Sequence, residues 1–157
     1  MDGQALSKIF ELSHMALTRN LEGITPEESL HAPEPGGNSL NWVLGHLVWG
    51  RHQIFKILGK PPLWEEEKIA RYARGSAPIE EGAPGAEPLE EIRAVFEKTQ
   101  KPLLEALGSC SAEQLAATND KGQTVAQQIA VLGYHEGYHG GQIGLLRRLL
   151  GHEGAIS

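Results

Sequence analysis

The chain lacks most features that would mark a special environment. It has one cysteine, Cys110, so no internal disulfide can form, which fits a reducing compartment. Aromatic residues make up only 6% of the sequence. No apolar run approaches the roughly 18 residues of a membrane span. The first ten residues, MDGQALSKIF, show no charged stretch followed by an apolar one, so no secretory leader is read and a cytoplasmic location is expected. Basic residues are few and scattered: the nearest approach to a phosphate-binding face is Arg147-Arg148, with Arg71 and Arg74 as a weaker pair. Fourteen basic against twenty acidic residues give a formal charge of −6, which speaks against nucleic acid as a partner. There is no period-two alternation of the kind that marks strands and no internal repeat. What remains is 157 residues, 40% of them hydrophobic, enough for one domain spanning 1–157 that buries a core without staples.

Four stretches carry a helical hydrophobic period. In the first, Leu6, Phe10, Ser13, Leu17, Leu21 and Ile24 step by threes and fours, with only Ser13 breaking the stripe. The second runs from about Ser39 to Leu58, capped by Asn38 or Ser39 and ended by Gly59 and Pro61-Pro62. The third starts near Pro88, as a first helical residue, and carries Ile92, Phe96, Thr99, Leu103 and Leu107, with Pro102 expected to kink or break it. The fourth runs from about Thr124 to Leu150. Thr124 and Gln127 form a capping box there, and Gly151 is a natural stop. The connection 25–38, with Pro26, Pro33, Pro35, Gly36 and Gly37, reads as a loop with room for one turn. A short helix fits 64–74, the segment 76–85 is irregular, and the polar connection 108–123 is irregular with room for a helical turn at 111–115. The expected fold is all-α, a four-helix bundle with a long crossover between the second and third helices.

Two histidines stand where the fourth stripe asks for core residues. That stripe reads Val125, Ile129, Leu132, His135, His139, Ile143, Leu146, Leu150. A spacing of four places the two imidazoles about 40° apart around the helix and about 6 Å along it, a geometry that chelates one metal ion. Burying two unpaired imidazoles is costly, and one metal ion satisfies both. On the second helix, His46 lies between Trp42 and Trp49 at the flank of the stripe Leu44, Leu47, Ile54, Leu58. It reads either as a histidine packed beside tryptophan or as a third ligand supplied across the bundle. His14 is a weaker candidate for lining a pocket. His31 and His152 are expected at the surface, and His52 sits in a polar stretch with Arg51 and Gln53.

Residues 135–139, His-Glu-Gly-Tyr-His, match the H-E-x-x-H pattern of zinc proteases. The longer form would need Gly at 142 and His at 145, where this chain has Gln142 and Leu145. Glu136 is therefore expected at the surface or on the rim of a site, not as a catalytic base. Glu136 and His139 also spell half of a di-iron pattern, but the second half and the extra glutamates are missing.

The run Asn38-Ser39-Leu40-Asn41-Trp42-Val43-Leu44-Gly45-His46-Leu47 resembles the second-helix signature of the DinB-like family, and His135-Glu136-Gly137-Tyr138-His139-Gly140-Gly141-Gln142-Ile143 resembles its fourth-helix signature. The loop Thr25-Pro26-Glu27-Glu28 is similar as well, and the likeness follows helix order over nearly the whole chain. This resemblance implies a bundle that is usually a homodimer and holds a divalent metal on His46, His135 and His139. Zinc or nickel is expected first, manganese or iron next. It also implies thiol-dependent transferases and isomerases, acting with low-molecular-weight thiols such as bacillithiol or mycothiol, among the relatives.

Three neutral imidazoles leave a metal with its charge uncompensated and with open positions, which is the pattern of a catalytic site. The expected activity is a metal-dependent thiol transfer onto a small-molecule substrate. A metal-dependent hydrolase and a non-catalytic metal-binding or dimerising module are the alternatives. Gln142 is read as supporting the site or facing substrate, or else bonding between helices. Tyr138 is read as a proton donor at the pocket edge or as packing, and Trp42 and Trp49 as pocket walls or core. Cys110 is read as structural.

Overall fold

The computed structural model describes residues 2–34 and 36–156; Pro35, placed above in the Pro-rich loop, lies outside them. Helix boundaries follow local chemistry. Helix α1 (Gly3–Leu21) starts where the Asp2 carboxylate accepts from the Ala5 N–H. Helix α3 (Leu40–Ile57) starts at Ser39, whose hydroxyl accepts from Trp42 N–H. Reciprocal capping boxes open the short α2 (Pro26–Ser29) at Thr25/Glu28 and α6 (Ala112–Ala116) at Ser111/Gln114, and the long α7 (Val125–Leu149) at Thr124/Gln127. The remaining helices are the short α4 (Glu66–Arg71) and the long α5 (Leu89–Gly108). Among the described residues there are no strands, only an isolated bridge between Thr118 and Thr124. No helix there is long and apolar enough to cross a membrane.

The four long helices pack in a ring: α1 touches α5 and α7, and α3 touches the same two. Their apolar stripes meet in two clusters. One is built around Leu17, Leu44, Leu47, Phe96 and Ile143, the other around Leu6, Phe10, Ile54, Leu103 and Ile129. The protein is all-helical.

One expectation changes and one narrows. Pro88 is the residue before α5, in extended backbone, not its first helical residue. Pro102 does not break α5, which runs through it as one element. The carbonyl that Pro102 leaves without a helical donor is that of Lys98, an exposed residue.

α7 is apolar almost all the way round. Its only charged residues are Glu136, which is buried, and Arg147 and Arg148 at its end. Its second buried row, Ile129, Gly133, Glu136, Gly140 and Ile143, includes the glycines that face α1: a methyl at Gly133 would come within 3.1 Å of Ile9. On the opposite side Val131, Tyr134, Tyr138, Leu145 and Leu149 are exposed. Leu12 and Met15 of the neighbouring α1 are exposed as well.

Candidate metal centre

His46, His135 and His139 converge between α3 and α7, each offering a ring nitrogen, all within 4.8 Å of one another. His46 and His139 are buried and His135 is half-buried. The His46 and His135 Nε2 atoms are 2.9 Å apart. The His139 ring centre is 4.4 Å from that of His135 and 4.9 Å from that of His46.

Two of the three imidazoles are oriented from outside. His46 Nδ1–H donates to the Tyr72 carbonyl at 2.7 Å, and His139 Nδ1–H donates to the Gln142 side-chain oxygen at 2.6 Å. An imidazole whose Nδ1 carries the proton presents a bare Nε2. This is the outer support that metal-ligating histidines receive, since it fixes both tautomer and ring direction. Burial pushes all three pKa values down. For His135, burial with its histidine neighbours takes it to about 4, so near neutral pH the imidazoles are uncharged and can donate lone pairs. A bare His46 nitrogen 2.9 Å from another ring nitrogen needs either a shared proton or a cation between them. With three neutral nitrogen donors, no carboxylate in the group and supported outer nitrogens, the residues present fit a divalent metal.

The supporting residues have their own structural causes. His46 is sandwiched between Trp42 and Trp49, with ring centres at 4.5 and 4.9 Å and planes within 19° and 7° of parallel. Both tryptophans therefore wall the site. The Trp42 indole N–H donates to the Ser76 hydroxyl at 2.9 Å. Tyr72, which supplies the carbonyl for His46, is wholly buried. Its hydroxyl donates to Asn41 Oδ1 and accepts from Glu87 N–H, and burial pushes its pKa up to about 12. The ring can lie against α3 only because residue 45 is glycine: a Cβ there would sit 2.0 Å from the Tyr72 ring.

Other candidates fall differently. Gln142 supports His139. Tyr138 is mostly exposed, with its ring edge-on to His139 at 5.2 Å between centres. His14 lies apart from the cluster, stacked on Phe96 and with Nε2 3.1 Å from the Glu97 carboxylate. His31 is exposed, but His152 is half-buried and bonded to Glu28 at 2.9 Å, where the chain after α7 folds back. His52 is half-buried. Cys110 is half-buried, its thiol donating to the Ala106 carbonyl.

Glu136 corrects its expectation outright. It is 2% exposed, and its carboxylate takes two bonds from the wholly buried Arg51, at 2.9 and 2.8 Å, and one from Ser13 at 2.6 Å. Arg51 also donates to Thr99 Oγ1 and the Phe96 carbonyl and lies over the Phe96 ring. A glutamate so engaged is not a base for the histidine site, which disposes of the protease-like reading of residues 135–139. Ser13, Arg51, Thr99 and Glu136 each interrupt the apolar row of a different long helix, and the four meet in one buried network.

The geometry defines an all-helical protein with a three-histidine cluster between facing helices. The family model for the DinB superfamily matches residues 9–143, and the chain belongs to that superfamily. A crystal structure of a conserved protein from Enterococcus faecalis has the same fold, with a TM-score of 0.74 and 20% sequence identity over 96% of this chain and 98% of that one. No curated protein matches the sequence.

Proposed function

We propose that this protein is a divalent-metal-dependent thiol transferase: His46, His135 and His139 hold the ion, and a low-molecular-weight thiol is the nucleophile. The observation that carries the reading is the convergence of three neutral imidazoles, two with their outer nitrogens already bonded, on one point at a half-buried edge. A bound divalent ion of the zinc or nickel type would supply Lewis acidity that lets a thiol lose its proton near neutral pH. The Tyr72 carbonyl and Gln142 hold two imidazoles in place, and the paired indoles exclude water from both faces of His46. In the overall reaction the thiol gives its proton to solvent and its sulfur forms a bond to an electrophilic carbon of a small substrate. The leaving group departs with the electron pair of the broken bond.

On this reading the ring of long helices is a four-helix bundle whose α3-to-α5 link, carrying α4, is the crossover. The protein acts in the cytoplasm as a homodimer. The support for a second copy is the row Val131, Tyr134, Tyr138, Leu145 and Leu149 beside Leu12 and Met15: a contiguous set of large exposed apolar side chains is ordinarily covered.

The test is thiol conjugation to 1-chloro-2,4-dinitrobenzene by zinc- or nickel-loaded protein, with cysteine and 2-mercaptoethanol as thiols. Acceleration that disappears with a chelator and in His46→Ala supports the reading. Full metal content with no acceleration for either thiol would leave a metal-binding module in its place.

A further inference from the structure

His46 and Gly50 lie one turn apart on α3, and His135 reaches across from α7 to both. Its Nε2 is 2.9 Å from His46 Nε2. Its Nδ1 side rests against α3 at residue 50, where a Cβ would sit 3.4 Å from Nδ1 and 3.5 Å from Cε1. Gly50 is buried, so a side chain larger than a methyl there would meet the imidazole. The three rings are held unequally. His46 Nδ1–H donates to the Tyr72 carbonyl and His139 Nδ1–H to the Gln142 oxygen, but the only hydrogen bond of the His135 ring among the described residues runs through Nε2. Residue 50 faces Nδ1, and glycine offers it no side-chain acceptor. The α3 backbone does not replace one, because carbonyls in mid-helix point along the axis to N–H groups four residues on. His135 is also the one of the three that is not buried.

We propose that Gly50 is a positioning residue for the metal centre: it admits the His135 ring against α3 but leaves its outer nitrogen unheld, which makes His135 the exchangeable member of the triad. This rests on the metal-site reading above and deepens it by naming the ligand that gives way. An outer hydrogen bond fixes the direction of an imidazole and raises its basicity, so the ring without one is the weakest of three like ligands. His46 and His139 are buried and held from behind, and they keep the ion in place. His135 stands at the half-buried edge, so the position it yields is the one that a small molecule from solvent reaches.

The experiment compares Gly50→Ser with Gly50→Ala. Both add a Cβ, but only serine adds an oxygen, which comes within about 3 Å of His135 Nδ1 while its proton goes to the carbonyl one turn back, that of His46. Cobalt(II)-loaded protein is mixed with excess chelator and the loss of its absorption is timed. Gly50→Ser is expected to lose cobalt about tenfold more slowly than Gly50→Ala, the low end for gain of an outer partner. The metal-free proteins are treated with diethylpyrocarbonate and the modified histidines are mapped by peptide mass. In wild type His135 should be labelled ahead of His46 and His139, and Gly50→Ser should slow its labelling relative to Gly50→Ala. Equal cobalt loss and equal His135 labelling in the two variants would overturn the proposal, as would labelling of His46 or His139 ahead of His135 in wild type, a result that needs no variant to fold. Protein that takes up no cobalt would count against the metal-site reading alone, because the labelling still decides whether residue 50 leaves His135 loosely held.

Discussion

Glu136 stands between His135 and His139 in the sequence but turns away from both, into a two-pronged ion pair with Arg51 on α3 in which neither side chain is more than 3% exposed. The pair locks α7 against α3 next to the histidines that those helices bring together. Taking away one partner strands a buried charge, so Glu136→Ala or Arg51→Ala should cost about 3–5 kcal/mol in urea unfolding. The double variant Arg51→Met/Glu136→Met should recover most of that loss. Ser13 and Thr99 keep bonds to the carbonyls of Phe10 and Phe96 in their own helices, and apolar replacement of such pairs is often neutral. Single variants as stable as wild type would mean the pair is not closed in solution.

Gly45 makes a second test possible without touching a histidine. Gly45→Ala drives a methyl into the Tyr72 ring, and the carbonyl that orients His46 moves with it. Overpacking of this kind costs about 1–3 kcal/mol. Loss of an outer partner lowers metal affinity by about 10–100-fold. Competition with a chromophoric chelator measures the affinity, and an unchanged value in a folded Gly45→Ala protein would remove Tyr72 from the account.

The cluster also predicts a pH dependence for the metal-free protein. His46, His135 and His139 have folded pKa values below the ordinary 6.5, with His135 at about 4. Between those limits the unfolded chain binds more protons than the folded one, so stability rises with pH across the window. The contribution is complete above about pH 6.5 and is lost as pH falls toward 4. His14 and His52, also lowered by burial, add to the same slope, so the comparison needed is with His135→Gln/His139→Gln. Thermal unfolding from pH 7.5 down to 4.5 should show wild type losing more stability than the variant. Parallel curves would contradict the burial of neutral imidazoles.

Much of this was legible in the residues, because stripes and caps are local. Thr124 with Gln127 and Ser39 before α3 mark helix starts by short-range hydrogen bonds, and those starts lie within a residue of expectation. The positions of His135 and His139 follow from helical period alone. Less visible was anything that depends on two helices at once. Arg51 falls on the row Leu44, Leu47, Arg51, Ile54, Leu58, and Glu136 on the row Ile129, Gly133, Glu136, Gly140, Ile143. Each charge occupies a core position, and their opposite signs were the available signal. Glu136 is hidden from a one-row reading because α7 packs against two other long helices, α1 and α3, and so buries two rows. Tyr72 had no local signal, since what it gives His46 is a backbone carbonyl delivered from a connecting segment.

The most direct measurement is metal per chain by elemental analysis, on tag-free wild type and on His135→Ala/His139→Ala. A three-histidine metal site predicts close to one equivalent in wild type, as isolated or after addition of zinc or nickel, and almost none in the double variant. A wild type that stays empty after both additions, or a double variant that fills as well as wild type does, would contradict it.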